Sequence, residues 1–170
     1  MYKYTLCFIV KNNKVLMLNR NKAPWMGCWN GLGGKLELGE SPMDCIKREI
    51  QEEAQITLKD IEIIPKGIVT WNDEKFGVDG GLYLFIAKYL NEDFDQVFPQ
   101  KTREGILEIK DIEWVTNINN FGVSHNIRYF LQNSLDNEGL FEYKCTFKNN
   151  ALVNVVTIKI DDNYFENIKQ

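Results

Sequence analysis

The sequence lacks any apolar run that approaches the roughly 20 residues needed to span a membrane, and its amino terminus is too briefly apolar for a secretory signal peptide. It also lacks paired cysteines, because no CxxC motif or zinc-like spacing joins Cys7, Cys28, Cys45 and Cys145. Cys7 and Cys45 fall in apolar patterns and are interpreted as small core residues. These absences predict a cytoplasmic protein with reduced thiols and no membrane partner.

An excess of positive charge is absent as well. The chain has 24 acidic and 20 basic residues and a formal net charge of −4, which argues against a nucleic-acid partner. Its single histidine, His125, has no motif around it, so Ser-His-Asp and Cys-His catalytic sets are excluded. We expect His125 to lie in the first turn of a helix and interpret it as structural.

The order of predicted elements mixes strands with helices. A length of 170 residues suits one domain, and no repeat or linker divides it. Ser124 is predicted to cap a second long helix, with Ile127, Phe130, Leu131 and Leu135 on its core face. Strands are predicted at 2–10, 15–20, 61–71, 81–89 and 106–109, a short helical turn at 111–116, a hairpin at 140–160 turning at Asn149-Asn150, and a helical or frayed tail at 161–170.

The most informative stretch runs from residue 34 to residue 56. Ser41 is a good N-cap, Pro42 suits the first helical position, and Asp44 completes a turn that resembles a capping box. These signals predict a helix that begins directly after Ser41. Its core-facing stripe consists of Met43, Ile46, Ile50 and Ala54.

Carboxylates gather on one strip of this predicted helix. Glu49, Glu52 and Glu53 share a side, because successive helical residues rotate by about 100°. Like charges at this spacing repel by a few tenths of a kcal/mol each, whereas hard oxygen ligands grouped together suit Mg²⁺ or Mn²⁺. Arg48 lies four residues before Glu52 and is placed to orient a carboxylate through a charged hydrogen bond.

The alternative is an acidic, exposed helix face without chemistry. It leaves unexplained why Gly33-Gly34 and Glu40 precede the helix in register. The full pattern G-x5-E-x7-R-E-U-x-E-E, with U apolar, resembles the Nudix box. It departs from that box only at Gln55, where the family has glycine, and glutamine there would cost about 1 kcal/mol if its φ is positive.

The resemblance to Nudix hydrolases implies an α/β fold, the Nudix α/β/α sandwich with a mixed central β-sheet. It covers roughly residues 3–135. We therefore expect a single Nudix hydrolase domain over residues 1–170, with the C-terminal β-hairpin at about 139–160 as an appendage at a sheet edge or dimer contact. The oligomeric state is expected to be a monomer or a homodimer.

The resemblance also implies roles for individual residues. Glu40 is expected to support Arg48, and Glu49 to act as a metal ligand or as the general base. Glu104 is our candidate for a metal ligand outside the box, against the alternative of an exposed loop glutamate. The implied catalytic residues are Arg48, Glu49, Glu52 and Glu53, and the implied ligands of Mg²⁺ or Mn²⁺ are Gly34, Glu49, Glu52, Glu53 and Glu104.

Residues outside the box resemble the MutT-like 8-oxo-dGTP diphosphatase branch. The amide of Asn30 offers a donor and an acceptor, which suits a purine edge; the alternative is that it only caps the glycine loop. Trp29, Trp71 or Phe76 would pack on a base or serve as core or rim aromatics. Residues 124–126 lack the acidic pair that some members of the branch carry, which argues against an oxidised-guanine preference. The predicted substrate-binding residues are Thr5, Arg20, Trp29, Asn30, Gly33 and Lys35.

The predicted function is a Mg²⁺-dependent Nudix hydrolase that cleaves the diphosphate linkage of nucleoside triphosphates, including oxidised purines such as 8-oxo-dGTP, to monophosphate and pyrophosphate. Such chemistry needs neutralised phosphate oxygens, an activated water and a base, which a metal and a glutamate supply. One alternative substrate class is ADP-ribose, nucleotide sugars or dinucleoside polyphosphates. Another alternative is a non-catalytic nucleotide-sensing module, which the intact Arg48, Glu49, Glu52 and Glu53 disfavour.

Overall fold

The computed structural model describes residues 1–23, 25–73, 78–96, 98–149 and 151–168. Phe76 and Asn150, which the sequence assigned to base packing and to a turn, lie outside this part of the chain, as do residues 169–170 of the predicted tail. The elements in chain order are β1 Tyr4–Lys11, β2 Lys14–Arg20, β3 Trp29–Asn30, α1 Pro42–Ala54, β4 Ile61–Asp73, β5 Val78–Tyr89, β6 Gln100–Lys101, β7 Gly105–Asp111, α2 Ile112–Thr116, α3 Ile127–Asp136, β8 Phe141–Lys148 and β9 Ala151–Lys159.

The strands form one mixed sheet in the order β6-β7-β2-β1-β5-β4-β8-β9, with β3 paired to β2. The pairs β1–β5 and β4–β8 are parallel, and the other pairs are antiparallel. Helix α1 covers one face of this sheet, and helices α2 and α3 cover the other. The predicted sandwich with a mixed central sheet is therefore confirmed.

The central strand β1 supplies core residues to both layers. Its side chains alternate between the faces, so Cys7 and Ile9 pack under α1 while Phe8 packs under α3. All three are fully buried, which explains why the sequence of β1 is continuously apolar from Leu6 to Val10 rather than at every second position. No helix in the described part of the chain is long and apolar enough to cross a membrane.

The position of the glycine-rich segment follows from a split between β1 and β2. These strands pair directly only where Ile9 faces Leu16 and the two following pairs close the hairpin. Beyond that point β3 pairs with β2, and Leu32 exchanges backbone hydrogen bonds of 2.7 and 3.0 Å with Cys7. The segment after β3 is thus wedged beside β1 and leads directly to α1.

Helix α1 begins and ends where its local signals predict. The hydroxyl of Ser41 accepts the N–H of Asp44 at 3.1 Å, and Pro42 occupies the first turn. The helix stops at Gln55, whose φ of 57° is left-handed and whose N–H donates to the carbonyl of Gln51. The positive φ confirms that glutamine is strained at this position, by about 1 kcal/mol.

The predicted start of α3 is wrong. Ser124 does not cap the helix, which begins at Ile127 after Asn126. Ser124 is instead buried, and its N–H donates to the carbonyl of Trp29 at 3.0 Å. His125 accordingly precedes the helix rather than lying in its first turn. A long-range contact with β3 has outweighed the local capping preference of serine.

The predicted C-terminal hairpin is formed by β8 and β9 and extends the sheet beyond β4. Tyr143 of β8 is fully buried in the layer under α3. After β9 the chain returns over the other face, where Phe165 packs against Tyr83 and Phe85 with ring centroids 5.7 and 5.5 Å apart. The segment after β9 therefore contributes to packing around the central strands.

Candidate active site

Arg48 is the centre of an ion-pair network on α1. Its Nε and Nη2 donate to the two carboxylate oxygens of Glu40 at 2.8 and 3.0 Å, and its Nη1 donates to Glu49 at 2.8 Å. A longer contact of 3.4 Å reaches Glu52. The hydrogen bonds from Arg48 lower the pKa of Glu40 to about 2. Glu40 therefore stays ionised at neutral pH and fixes the guanidinium between the loop and the helix.

Glu49 lies under the glycine loop. Burial raises its pKa, and the hydrogen bond and charge of Arg48 oppose that rise. A Cβ added to Gly34 would lie 2.0 Å from Oε1 of Glu49, so only glycine permits this approach of backbone to carboxylate. The box glycine and the box glutamate are thus in direct contact.

Glu53 is the most buried carboxyl group of the site, with 8% of its surface exposed. One of its oxygens accepts the N–H of Gly33 at 3.0 Å. Burial is the largest influence and raises its pKa to about 7, while repulsion from Glu49 and Glu104 adds to the rise and Arg20 opposes it. Electrostatic interactions therefore connect four side chains at one end of the site: Glu53, Glu49, Glu104 and Arg20.

Glu104, predicted from outside the box, lies close enough to Glu53 to act on its charge. It also forms a 2.9 Å ion pair with Lys22. Among the described residues, no three Asp, Glu, His or Cys side chains converge as a preformed metal site. The carboxylates are held instead by Arg48, the Gly33 N–H and Lys22.

The donor set nevertheless has the chemistry that a hard divalent cation requires. Glu49, Glu52, Glu53 and Glu104 offer carboxylate oxygens, and a cation among them would favour the ionised form of the buried Glu53. Glu52 is the accessible member, with 62% of its side chain exposed. The predicted carbonyl ligand on Gly34 already accepts the N–H of Thr5 at 2.9 Å, which leaves its second lone pair for any further ligand.

The predicted substrate-binding residues are scattered. Thr5 is 4% exposed and lies beneath the glycine loop, against Cys45. Trp29 packs in the α3 layer, with Lys110 Nζ 4.5 Å from its ring centroid. Lys35 is exposed, and its carbonyl accepts Nη2 of Arg48 at 3.2 Å. Of the six predicted residues, Arg20 and Gly33 are the two that act on Glu53. The N–H of Gly33 donates to its carboxylate, and the charge of Arg20 opposes the rise in its pKa.

Asn30 makes the contact that its alternative interpretation predicts. Its side-chain oxygen accepts the N–H of Gly31 at 2.9 Å, so the side chain braces the start of the glycine segment. The amide nitrogen carries the donors that a purine edge would use. A role in base reading therefore depends on the donor side of this amide.

Two features escaped the sequence reasoning. One is a cleft of about 850 Å³ at the start of β1, between the first residues and β8, whose lining includes Tyr4, Trp71 and Gly80. The double glycine at 80–81 inside a strand was a signal, because it leaves room for rings above the sheet. The other is Cys45, which receives Nη2 of Arg48 at 3.5 Å; its position three residues before Arg48 on the same helix side was the signal.

Comparison with known proteins identifies the class of enzyme. The NUDIX domain model matches residues 1–126, and the chain belongs to the Nudix hydrolase family. A MutT protein from Bacillus halodurans has the same fold, with a TM-score of 0.66 and 22% identity over 92% of this chain and 97% of that one.

The sequence relatives have names that indicate different substrates. The mouse oxidized purine nucleoside triphosphate hydrolase is 36% identical over 55 residues, which is 32% of this chain and 35% of that protein. The ADP-ribose pyrophosphatase of Methanocaldococcus jannaschii is 39% identical over 51 residues, or 30% of each chain. An uncharacterized Nudix hydrolase of Bacillus subtilis, YvcI, is 27% identical over 68% of this chain and 70% of its own. The chain thus matches only about a third of the length of the relatives whose substrates are named.

Proposed function

We propose that this enzyme hydrolyses purine nucleoside triphosphates, oxidised purines such as 8-oxo-dGTP among them, to the monophosphate and pyrophosphate. The observation that carries the proposal is the approach of Glu49 and Glu53 to the backbone of Gly33 and Gly34, with Glu104 near Glu53. Carboxylates beside an open backbone suit a metal-bound diphosphate. The name of the mouse relative, an oxidized purine nucleoside triphosphate hydrolase, supports the choice of substrate.

Glu49, Glu52, Glu53 and Glu104 would hold Mg²⁺ or Mn²⁺. When bound, the metal neutralises phosphate charge and lowers the pKa of a water. The remaining work belongs to the chain. Arg48 keeps the carboxylate of Glu49 beside Gly34. There Glu49 would either complete the ligand set or, with the metal held by the other three carboxylates, act as the general base that takes a proton from the attacking water.

The cleft at the start of β1 supports a nucleotide substrate. Tyr4 and Trp71 bring aromatic surface to it, and Asn72 and Asp79 bring polar groups. Pockets of this composition bind planar organic groups and orient them through a few polar contacts. The cleft adjoins the glycine loop, because Tyr4, which lines the cleft, forms a backbone β-bridge with Lys35, the residue after Gly34.

A product-resolved screen tests the proposal. The enzyme is incubated with Mg²⁺ and a panel of purine, oxidised purine and pyrimidine triphosphates, ADP-ribose, nucleotide sugars and dinucleoside polyphosphates. We expect the best substrate to be a purine triphosphate that yields monophosphate and pyrophosphate. Faster turnover of ADP-ribose to two monophosphates would reject purine triphosphates as the substrate class in favour of ADP-ribose. Absence of turnover on the whole panel would favour a nucleotide-sensing module.

Asn30 provides a sharper test of base selection. Asn30→Asp keeps an oxygen for the Gly31 N–H but removes the amide donors. We expect this change to lower kcat/KM for the best purine triphosphate. The loss should correspond to about 1–3 kcal/mol of transition-state stabilisation, the scale of an unpaired buried polar group. A pyrimidine triphosphate should be little affected. Wild-type behaviour of Asn30→Asp, combined with equal losses on both bases in Asn30→Ala, would assign Asn30 to the loop alone.

A further inference from the structure

A hydrogen-bonded chain runs beneath the active site through a buried thiol. Cys45 is fully buried, and its Sγ lies 3.4 Å from Oγ1 of Thr5 and 3.5 Å from Nη2 of Arg48. The Thr5 hydroxyl in turn lies 3.5 Å from the N–H of Gly34. The thiol therefore touches groups from the central strand and the catalytic helix, and Thr5 links it to the glycine loop.

Arg48 and Gly34 are the donors at the two ends of this chain. Nη2 of Arg48 donates to Sγ of Cys45, and the N–H of Gly34 donates to the hydroxyl of Thr5. Between the Thr5 hydroxyl and Sγ either atom can be the donor. Burial raises the pKa of Cys45 to about 11, so the thiol keeps its proton at neutral pH.

We propose that Cys45 and Thr5 are positioning residues that fix Arg48, and through Arg48 the carboxylate of Glu49 beside Gly34. This reassigns Thr5, which the resemblance had placed among the substrate-binding residues. The inference deepens the proposed function and rests on it for its kinetic consequences. The geometric consequence, an immobilised Arg48 guanidinium, holds for the metal-free protein whatever its substrate.

The kinetic test compares Cys45→Ala with Cys45→Ser. We expect Cys45→Ala to lower kcat about tenfold, the scale of one lost buried hydrogen bond, with KM within about twofold and the same factor on purine and pyrimidine triphosphates. The serine variant restores a donor and an acceptor and should recover most of the loss. Cys28→Ser, a partly exposed loop cysteine away from the network, is the matched control. Unchanged kcat in Cys45→Ala, or no recovery in Cys45→Ser, would overturn the proposal.

Thr5→Val separates positioning from substrate binding. As a positioning change it should lower kcat and leave KM alone, and it should add little to Cys45→Ala in a double-mutant cycle, because both interrupt the same chain. A rise in KM confined to one base, with full additivity, would return Thr5 to the substrate site.

A spectroscopic measurement is independent of turnover. In the ¹⁵N-labelled metal-free protein, the Nε–H of Arg48 should give a sharp signal, because it is half-buried and bonded to Glu40 at 2.8 Å. Cys45→Ala should broaden or shift this signal without unfolding the protein, and Cys28→Ser should not. An unchanged signal would overturn the positioning role even if the enzyme is active; a changed signal in a protein that fails the substrate screen would leave positioning intact and reject the proposed function.

Discussion

Two partly buried networks join a helix to the rest of the molecule, one on each face of the sheet. Under α3, Asn133 donates to the hydroxyl of Tyr143 at 2.7 Å, and Ser134 lies 3.1 Å from the same oxygen. On α1, Arg48 joins Glu40, Glu49 and Glu52 (the carboxylate network). The first consists of neutral groups, whereas the second holds charges.

The difference lies in what each network does to protonation. In the α3 network no group changes its charge near neutral pH, since burial raises the pKa of Tyr143 further from that range. At the active site, the pKa of Glu40 falls to about 2 while that of Glu53, next to the carboxylate network, rises to about 7. Carboxyl groups whose pKa values are shifted in opposite directions are typical of functional sites. The neutral network stabilises the packing of a helix, and the charged one would hold the carboxylates of the proposed active site.

The largest predicted effect is the loss of turnover in Glu52→Gln or Glu53→Gln. Each keeps the shape of the side chain and removes the charge that the cation needs, so turnover should fall by several orders of magnitude. The measurement is kcat at saturating Mg²⁺, with circular dichroism to verify the fold. Glu138→Gln, an exposed residue after α3, is the control. Near-normal rates in both active-site variants would refute their assignment as metal ligands.

The same substitution at Glu53 should stabilise the metal-free protein. The pKa of this carboxyl is about 7 in the folded state against an ordinary value of 4.5. The unfolded chain therefore releases this proton at lower pH than the folded one, and stability falls as pH rises through this window. We expect Glu53→Gln to gain about 2–3 kcal/mol at pH 8 and nothing at pH 4.

Urea denaturation in the presence of a chelator measures this gain. An equal difference between the two proteins at both pH values would mean that the charge of Glu53 is not its source. Added Mg²⁺ should then raise the stability of the wild type more than that of Glu53→Gln, because only the native carboxylate binds it well.

Tyr143→Phe should affect stability alone. Removing the hydroxyl leaves Asn133 and Ser134 without a shared partner, at a cost of about 1 kcal/mol. Thermal denaturation and kcat, measured on the same preparation, check the two halves of this expectation. A loss of kcat beyond about twofold would show that the two faces of the sheet are coupled.

The smallest expected effect is a gain at the end of α1. Gln55→Gly should relieve the left-handed strain and raise the free energy of unfolding by a few tenths to about 1 kcal/mol. Gln55→Ala, which keeps the Cβ, should bring no such gain. Equal stability of the two variants would place the strain elsewhere.

Local signals allowed the sequence to predict α1 well. Ser41, Pro42 and Asp44 act within one turn of each other, and the shared face of Glu49 and Glu53 follows from helical geometry alone. Strain at Gln55 was expected on the condition of a positive φ, and its φ is 57°. These features depend on neighbours in the chain and need no knowledge of the sheet.

What the sequence did not predict comes from contacts between distant segments. Ser124 does not cap α3: its hydroxyl donates to the side-chain oxygen of Asn126, and its N–H donates to Trp29, far away in sequence. Trp29 and Thr5, both predicted to bind substrate, lie in different places, with Trp29 in the α3 layer and Thr5 beneath the glycine loop. Cys45 was interpreted as a small core residue. Its contact with Arg48 is local to α1, whereas its contact with Thr5 depends on where β1 lies. Strand order decides the long-range contacts, and periodicity does not encode it.

The pairing of β1 with β5 bears on how the protein is made. Tyr4 pairs with Leu82 across this parallel ladder, so the hydrogen bonds between β1 and β5 can form only after most of the sheet has been synthesised. Helix α1 can form soon after it emerges from the ribosome, yet Glu104 joins the carboxylates only with the arrival of β7. Folding dominated by such distant pairings is slow and leaves apolar strands exposed meanwhile. The carboxylates of α1 and Glu104 can therefore come together only late in the synthesis of the chain.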